Sequence, residues 1–460
     1  MAALNTCPHD QDEISKTPET TGAVITRLPS DGIDQLTDPE SPTVQVPTHK
    51  QRLSDIFTII CASFALISHG YQNNLMTMTN VVLKKEYKKQ YTSKYSTGVS
   101  NALLVGEIIG QITIGLTCDY IGRKAAIIIT TLMIVTIIGM FWMLTVARGI
   151  VGFGTDGEYP ACSTSASEAA NEHRLKQRGP IFIMVTNLPL SLGGPVAVII
   201  FLIVLSAAGS KHLSTVWRTC MGIGVIFPLS VFYLRMKMLN SKLYRRGAIK
   251  RRVPYPLVIK YYWRSLIGTC GAWFLYDFVT FPIGIFSGEI ISSVVTESDT
   301  IRSTGEWQLL LGILSIPGVL FGAYLCNKIG RKYTMMLGDM LGLLSSESYA
   351  TAVRGTCYGI SAAFGKTGAV IGTQAFTPIQ THLGKRWTFI IAAICGVAGI
   401  LVTYFFVPNV AGEDLAQSDE KFRLYLVSKG GDGEMGEEDL KALAGEGIPE
   451  DVVEEVKAGK

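Results

Sequence analysis

The sequence predicts an all-α membrane protein built from two similar helix bundles. Three observations predict it. Apolar runs of about 20 residues, enough for a helix to cross a hydrocarbon core of about 30 Å, recur along the chain. Only 17% of the 460 residues are charged and the mean hydropathy is +0.31, whereas a soluble chain carries about 25% charged residues. One loop pattern also occurs twice, as Gly115-Leu-Thr-Cys-Asp119-Tyr-Ile-Gly122-Arg123-Lys124 and as Gly322-Ala-Tyr-Leu-Cys-Asn327-Lys-Ile-Gly330-Arg331-Lys332. Repetition at like places in two halves marks an internal duplication.

Residues 1–54 are rich in Thr, Pro, Asp and Ser and read as a disordered tail. No basic-then-apolar signal peptide opens the chain, so the first membrane helix serves as the insertion signal. Residues 55–236 read as a first bundle. Its first span, about Ile56 to Thr79, contains His69, Tyr71, Gln72, Asn73 and Asn74. A lipid-facing helix would not hold them, so this helix lines a cavity or breaks. The second span, about Thr97 to Cys118, holds Glu107 and Gln111, and the acid is expected near the interface.

The third and fourth spans share Ala125 to about Ala170, and Arg148 to Glu168 is the most informative stretch in the chain. It carries Arg148, Asp156, Glu158 and Glu168 at membrane depth. Such groups are costly there and mark a substrate or proton route. Gly149, Gly152, Gly154 and Gly157 let neighbouring helices approach closely.

From Arg235 to Arg264 the chain holds ten Lys or Arg and no acid. Between membrane spans this is a cytosolic linker, expected over 237–264, and not a nucleic-acid site. Both loop motifs fall on its side, which predicts cytosolic termini. A second bundle is expected over 265–408 and a cytosolic tail over 409–460. The second bundle is shortened: Thr334 to Leu344 gives only about 17 Å of helix. About ten spans are therefore expected, with the ninth and most of the tenth missing at Gly338–Asp339.

These residues, with Gly152–Glu168, Cys270–Asp277 and Gly359–Ile371, resemble the fungal phosphate:proton symporters of the major facilitator superfamily. The glycerophosphodiester permeases are the nearest in pattern. The resemblance implies a two-bundle fold and proton-coupled import of an anionic phosphodiester by alternating access. It implies substrate contacts at Arg148, Tyr159, Asn187, Trp273, Asp277 and Lys366, with Arg148 also near the cytosolic gate. It implies proton coupling at Glu158 and Asp277. Asp119, Gly122, Arg123, Lys124, Gly330 and Arg331 form the conformational motifs. Three positions depart from the pattern: His69 stands where the family has an acid, Asp156 where it has Gly, and Phe281 where phosphate carriers have Tyr.

The resemblance implies a monomer in the plasma membrane whose partners are substrate, protons and lipid. An inorganic phosphate or inositol/sugar symporter is the nearest alternative, and a transport-dead regulator or nutrient sensor is another. Nine cysteines, an odd number, sit mostly in apolar segments as small buried hydrophobes. No metal-ligand spacing, phosphate loop or nucleophile elbow occurs, so neither enzyme chemistry nor a metal or other cofactor is expected.

Overall fold

The computed structural model describes residues 49–88, 90–134, 141–173, 177–236, 244, 248–249, 253–294, 300–337, 341–384, 386–408 and 415–430. The expected tail up to position 48, nearly half of the linker and the last thirty residues lie outside them. Among the described residues all regular structure is helical. The first half contains α1 (His49–Glu86), α2 (Ser93–Ile121), α3 (Arg123–Ile134), α4 (Phe141–His173), α5 (Arg178–Val185), α6 (Asn187–Ala208), α7 (Leu213–Ile223) and α8 (Ile226–Met236). The second contains α9 (Tyr255–Val294), α10 (Thr300–Lys328), α11 (Arg331–Leu337), α12 (Leu341–Glu347), α13 (Arg354–Leu383), α14 (Arg386–Phe406) and α15 (Leu415–Ser428). Five described stretches are long and apolar enough to cross a membrane: α2, α5 with α6, most of α9, α10 and α14.

In the first half α2 packs along α4, α3 lies on α4, and α1 packs on α4 and α6. In the second half α9 packs along α13 and α14. The halves meet through α2 with α13, α6 with α10, and α1 with α9. Glycines permit these approaches. A Cβ on Gly106 would overlap the Gly149 carbonyl of α4, and one on Gly359 of α13 would overlap the Gln111 carbonyl of α2. Burial follows position: 61% of the apolar window of α2 is covered, against 6% of that of α14, which presents its surface outward.

The loop motifs turn as their glycines require. Gly122 (φ 92°) and Gly330 (φ 87°) take left-handed conformations between α2 and α3 and between α10 and α11. The repeat extends to the contacts. Arg123 and Arg354 both bond Glu168 near the end of α4, while Arg331 and Arg178 both bond Glu347 at the end of α12. So α12 stands where the last turns of α4 stand in the first half. The 33 residues of α4 have only seven as their counterpart.

Three boundaries differ from the sequence reading. Residues 49–54, expected in the disordered tail, are the first turns of α1. Residues 255–264, expected as linker, are the first turns of α9. Within the 409–460 tail, α15 is helical and docks: Phe422 and Leu426 are buried in a cluster with Tyr262, Tyr349 and Val353. Asp419 of α15 accepts from Thr351 N (2.6 Å) and Thr351 Oγ1 (2.7 Å). Burial pushes the Asp419 carboxyl above its ordinary value.

Candidate functional site

A cavity of about 330 Å³ lies between the halves, at the small end of the range for ligand sites. Among its walls are His69, Asn73 and Asn74 of α1, Arg148 and Tyr159 of α4, Trp273, Tyr276, Asp277 and Phe281 of α9, and Lys366 of α13. Of the polar residues that interrupt the first span, His69, Asn73 and Asn74 line the cavity from an unbroken helix, whereas Tyr71 and Gln72 donate to Cys220 O (2.6 Å) and Gly224 O (3.4 Å). Arg148, Tyr159, Trp273, Asp277 and Lys366, expected to share a site from the resemblance, do line one space. Arg148 donates to Gln72 O (3.1 Å) and Gln72 Oε1 (3.5 Å). Its Nε is buried with no hydrogen-bond partner among the described residues.

A charged cluster backs the wall. Lys366 Nζ lies 3.2 Å from Asp156 Oδ2 and 3.3 Å from Glu107 Oε2, and 3.9 Å from the centre of the Phe281 ring. His69 Nδ1 is 2.7 Å from Asp156 Oδ1, and Gln111 Nε2 donates to Asp156 Oδ2 (2.9 Å). Ligand atoms of His69, Glu107 and Asp156 lie within 4.8 Å of one another, and the Lys366 ammonium is the cation that two of them hold. Both acids are completely buried.

Several expected placements change. Glu107 is not near an interface but buried against Lys366, because only a cation from the other half makes its burial tolerable. Glu158 is buried on α4 but is not among the lining residues, whereas Asp156, two positions earlier, reaches the cluster. Successive helix residues are about 100° apart, so the two acids point to opposite sides. Asn187 is also outside the lining, and its Oδ1 accepts from Thr186 Oγ1 (2.9 Å). Trp273 Nε1 donates to Ser345 Oγ (2.9 Å), so the indole offers the cavity its ring. Glu289's side chain lies outside the described residues. Arg148 is at the cavity but not near the motif-end gate, since 20 helical residues, about 30 Å, separate it from Glu168.

A second polar assembly stands at the motif end of the bundles. Asp119 accepts from Gly355 N (3.1 Å), Thr356 N (2.7 Å) and Thr356 Oγ1 (2.7 Å) at the start of α13, where free amides favour a carboxylate. Arg123 bonds Asp119, Glu168 Oε1 (3.2 Å) and Thr351 O (3.3 Å). Arg354 Nη1 reaches the same Glu168 oxygen at 3.0 Å. Tyr244 of the linker bonds Asp119 O (3.0 Å), with the Arg123 guanidinium 4.7 Å from its ring centre. On the other side Glu347 joins Arg178 (2.6 Å) to Arg331 (2.6 Å). The two assemblies tie the halves together at one end.

Known proteins match this architecture. The model of the family described as "Sugar (and other) transporter" matches residues 56–341 and 333–422. Glycerophosphoinositol permease 1 of Candida albicans is 50% identical over 451 residues, covering 85% of this chain and 86% of that protein. Glycerophosphoinositol transporter 1 of Saccharomyces cerevisiae is 48% identical over 442 residues, covering 84% and 85%. The structure of the proton:xylose symporter XylE bound to 6-bromo-6-deoxy-D-glucose superposes with a TM-score of 0.68 at 14% identity, covering 80% of this chain and 99% of that one. The first alignment runs over 451 residues, whereas 85% of 460 is about 391. About 60 aligned positions therefore have no counterpart here. The two family matches overlap at 333–341, across α11 and the start of α12. The paired loop motifs, the cavity between two bundles and these alignments together place the chain in the sugar (and other) transporter family, with the fold of the major facilitator superfamily.

Proposed function

We propose that the chain is a proton-coupled transporter that imports a glycerophosphodiester, glycerophosphoinositol foremost, by alternating access across the plasma membrane. The basic loops and motif end face the cytosol, as do both termini. The observation that carries the anion is Arg148. Arg148 lines the cavity, and its Nε–H is buried and unbonded among the described residues; an unsatisfied buried donor is costly unless a ligand fills it. Lys366 supplies a second cation from the opposite half. A phosphodiester bridging the two would bind best when both bundles close on it, which links binding to rocking of the halves. Tyr159 and the Trp273 ring flank the polyol or glycerol part, and Asp277 accepts from its hydroxyls or carries a proton. The relatives at 50% and 48% identity bear glycerophosphoinositol names, which favours that head group.

Binding to the purified full chain tests the anion reading. Glycerophosphoinositol should bind at least about tenfold more tightly than free inositol, and Arg148→Ala should remove that preference, a factor of ten being about 1.4 kcal/mol. Calorimetric titration of both ligands decides it; equal affinities, unchanged in the variant, would favour a polyol carrier. One observation favours a second reading, a binding protein that does not cycle. The counterpart of α4 in the second half is the seven-residue α12, so only α9 and α13 supply that half's share of the cavity lining.

A further inference from the structure

We infer that the pair His69–Asp156 is the proton-binding element, with Asp156 as the carrier and Lys366 as the group through which its charge is felt by bound anion. The inference rests on the transport reading above and assigns residues to its coupling step. Four ionisable groups meet here from three helices of the first half and one of the second: His69 (α1), Glu107 (α2), Asp156 (α4) and Lys366 (α13). Arg148 and Asp277 face the adjoining cavity, and Gln111 bonds Asp156. Two carboxylates against one ammonium leave one uncompensated negative charge in a fully buried site. One added proton cancels it.

Where the proton rests follows from counting buried charges. On His69 it would leave four charges, an imidazolium and an ammonium against two carboxylates. On a carboxyl it leaves two, Lys366 with the other acid, and of the two acids Asp156 is the one in contact with His69 (2.7 Å). Each buried ion costs several kcal/mol of desolvation, so the second arrangement is preferred. The route is built in. His69 lines the cavity while Asp156 is not among the lining residues. His69 Nδ1 faces Asp156 (2.7 Å) and Nε2 faces the Asn73 side chain (3.0 Å), which also lines the cavity. A proton taken up at Nε2 and another released from Nδ1 pass the charge inward, with the imidazole unchanged apart from its tautomer. Among the described residues Asn73 Oδ1 is buried without a hydrogen-bond partner, so a turn of the amide offers an acceptor to the transient imidazolium.

Coupling is then electrostatic. With Asp156 ionised, Lys366 is held by two acids, and the net negative charge of the cluster opposes an anion in the cavity. With Asp156 protonated, Lys366 keeps Glu107 alone and its remaining N–H donors are available to a phosphate in the cavity. Proton and anion each raise the affinity for the other by the same factor. The acid missing at position 69 and the acid gained at position 156 are one change in this view, since the two side chains touch.

Two measurements on the purified full chain in liposomes test this. In the infrared difference between acid and alkaline pH, the stretch of a protonated carboxyl should disappear in Asp156→Asn and persist in Asp277→Asn. In transport, Asp156→Asn should retain glycerophosphoinositol counterflow while losing accumulation, from about tenfold per pH unit for one coupled proton to a ratio of one. Persistence of the infrared band in Asp156→Asn, or its loss in Asp277→Asn alone, overturns the assignment, as does full accumulation by Asp156→Asn. Absence of counterflow in the wild-type chain sinks the transport reading instead, and the infrared result still decides the proton site.

Discussion

Lys366→Ala is expected to destabilise the folded chain by about 3–5 kcal/mol, the cost of breaking a buried ion pair by removing one partner. Its ammonium is what holds Asp156 and Glu107, both completely buried, at 3.2 and 3.3 Å. Binding of a phosphodiester should be lost as well, because the second cation of the cavity goes with it. The stability loss has a specific remedy. Adding Asp156→Asn and Glu107→Gln to Lys366→Ala removes both stranded charges and should restore most of the melting temperature without restoring accumulation. Adding Asp277→Asn instead should restore little, since the two acids stay stranded. Thermal melts of the four proteins, read by size-exclusion chromatography, distinguish these outcomes. Full recovery with Asp277→Asn would show that the ammonium serves Asp277 above the other two.

Glu168→Ala should cost a similar amount and open the motif end. It leaves Arg123 and Arg354, both almost wholly buried, without their shared carboxylate. Since Arg354 heads α13 and Glu168 ends α4, their bond is one of those that hold the halves together at that end. The native Cys118 and Cys357 are buried beside it. Their alkylation by a water-soluble maleimide should therefore speed up by about tenfold or more, as a lost closure energy of 1.4 kcal/mol changes an opening equilibrium tenfold. Unchanged labelling with a lowered melting temperature would mean that Glu168 supports the fold without gating it.

Much of this architecture was legible in the sequence. The doubled loop motif announced two halves, and each copy does turn through a left-handed glycine. The eleven residues from Thr334 to Leu344 could not span a membrane, and α11 and α12 are correspondingly short. The lining of the cavity was legible only through resemblance to known transporters, which also named Asn187 and Glu158, two residues outside the lining. The partners were not legible. Glu107 inside an apolar run reads the same whether it meets water or Lys366, which stands 259 residues later in the chain. Arg148 could have been placed by arithmetic, because the helical rise sets it a membrane's thickness from Glu168. The most informative signal was a coincidence of departures, His69 for an acid and Asp156 for a glycine, whose meaning appears only when the two atoms are seen 2.7 Å apart.

Accumulation in proteoliposomes tests the whole account most directly. The full chain is reconstituted with an alkaline lumen and an acidic exterior, and labelled glycerophosphoinositol is followed against labelled inositol. The account predicts accumulation of the phosphodiester above its external concentration, collapse of the gradient on adding a protonophore, and no accumulation of inositol. Binding without accumulation, or equal entry of both solutes regardless of the pH gradient, would contradict it.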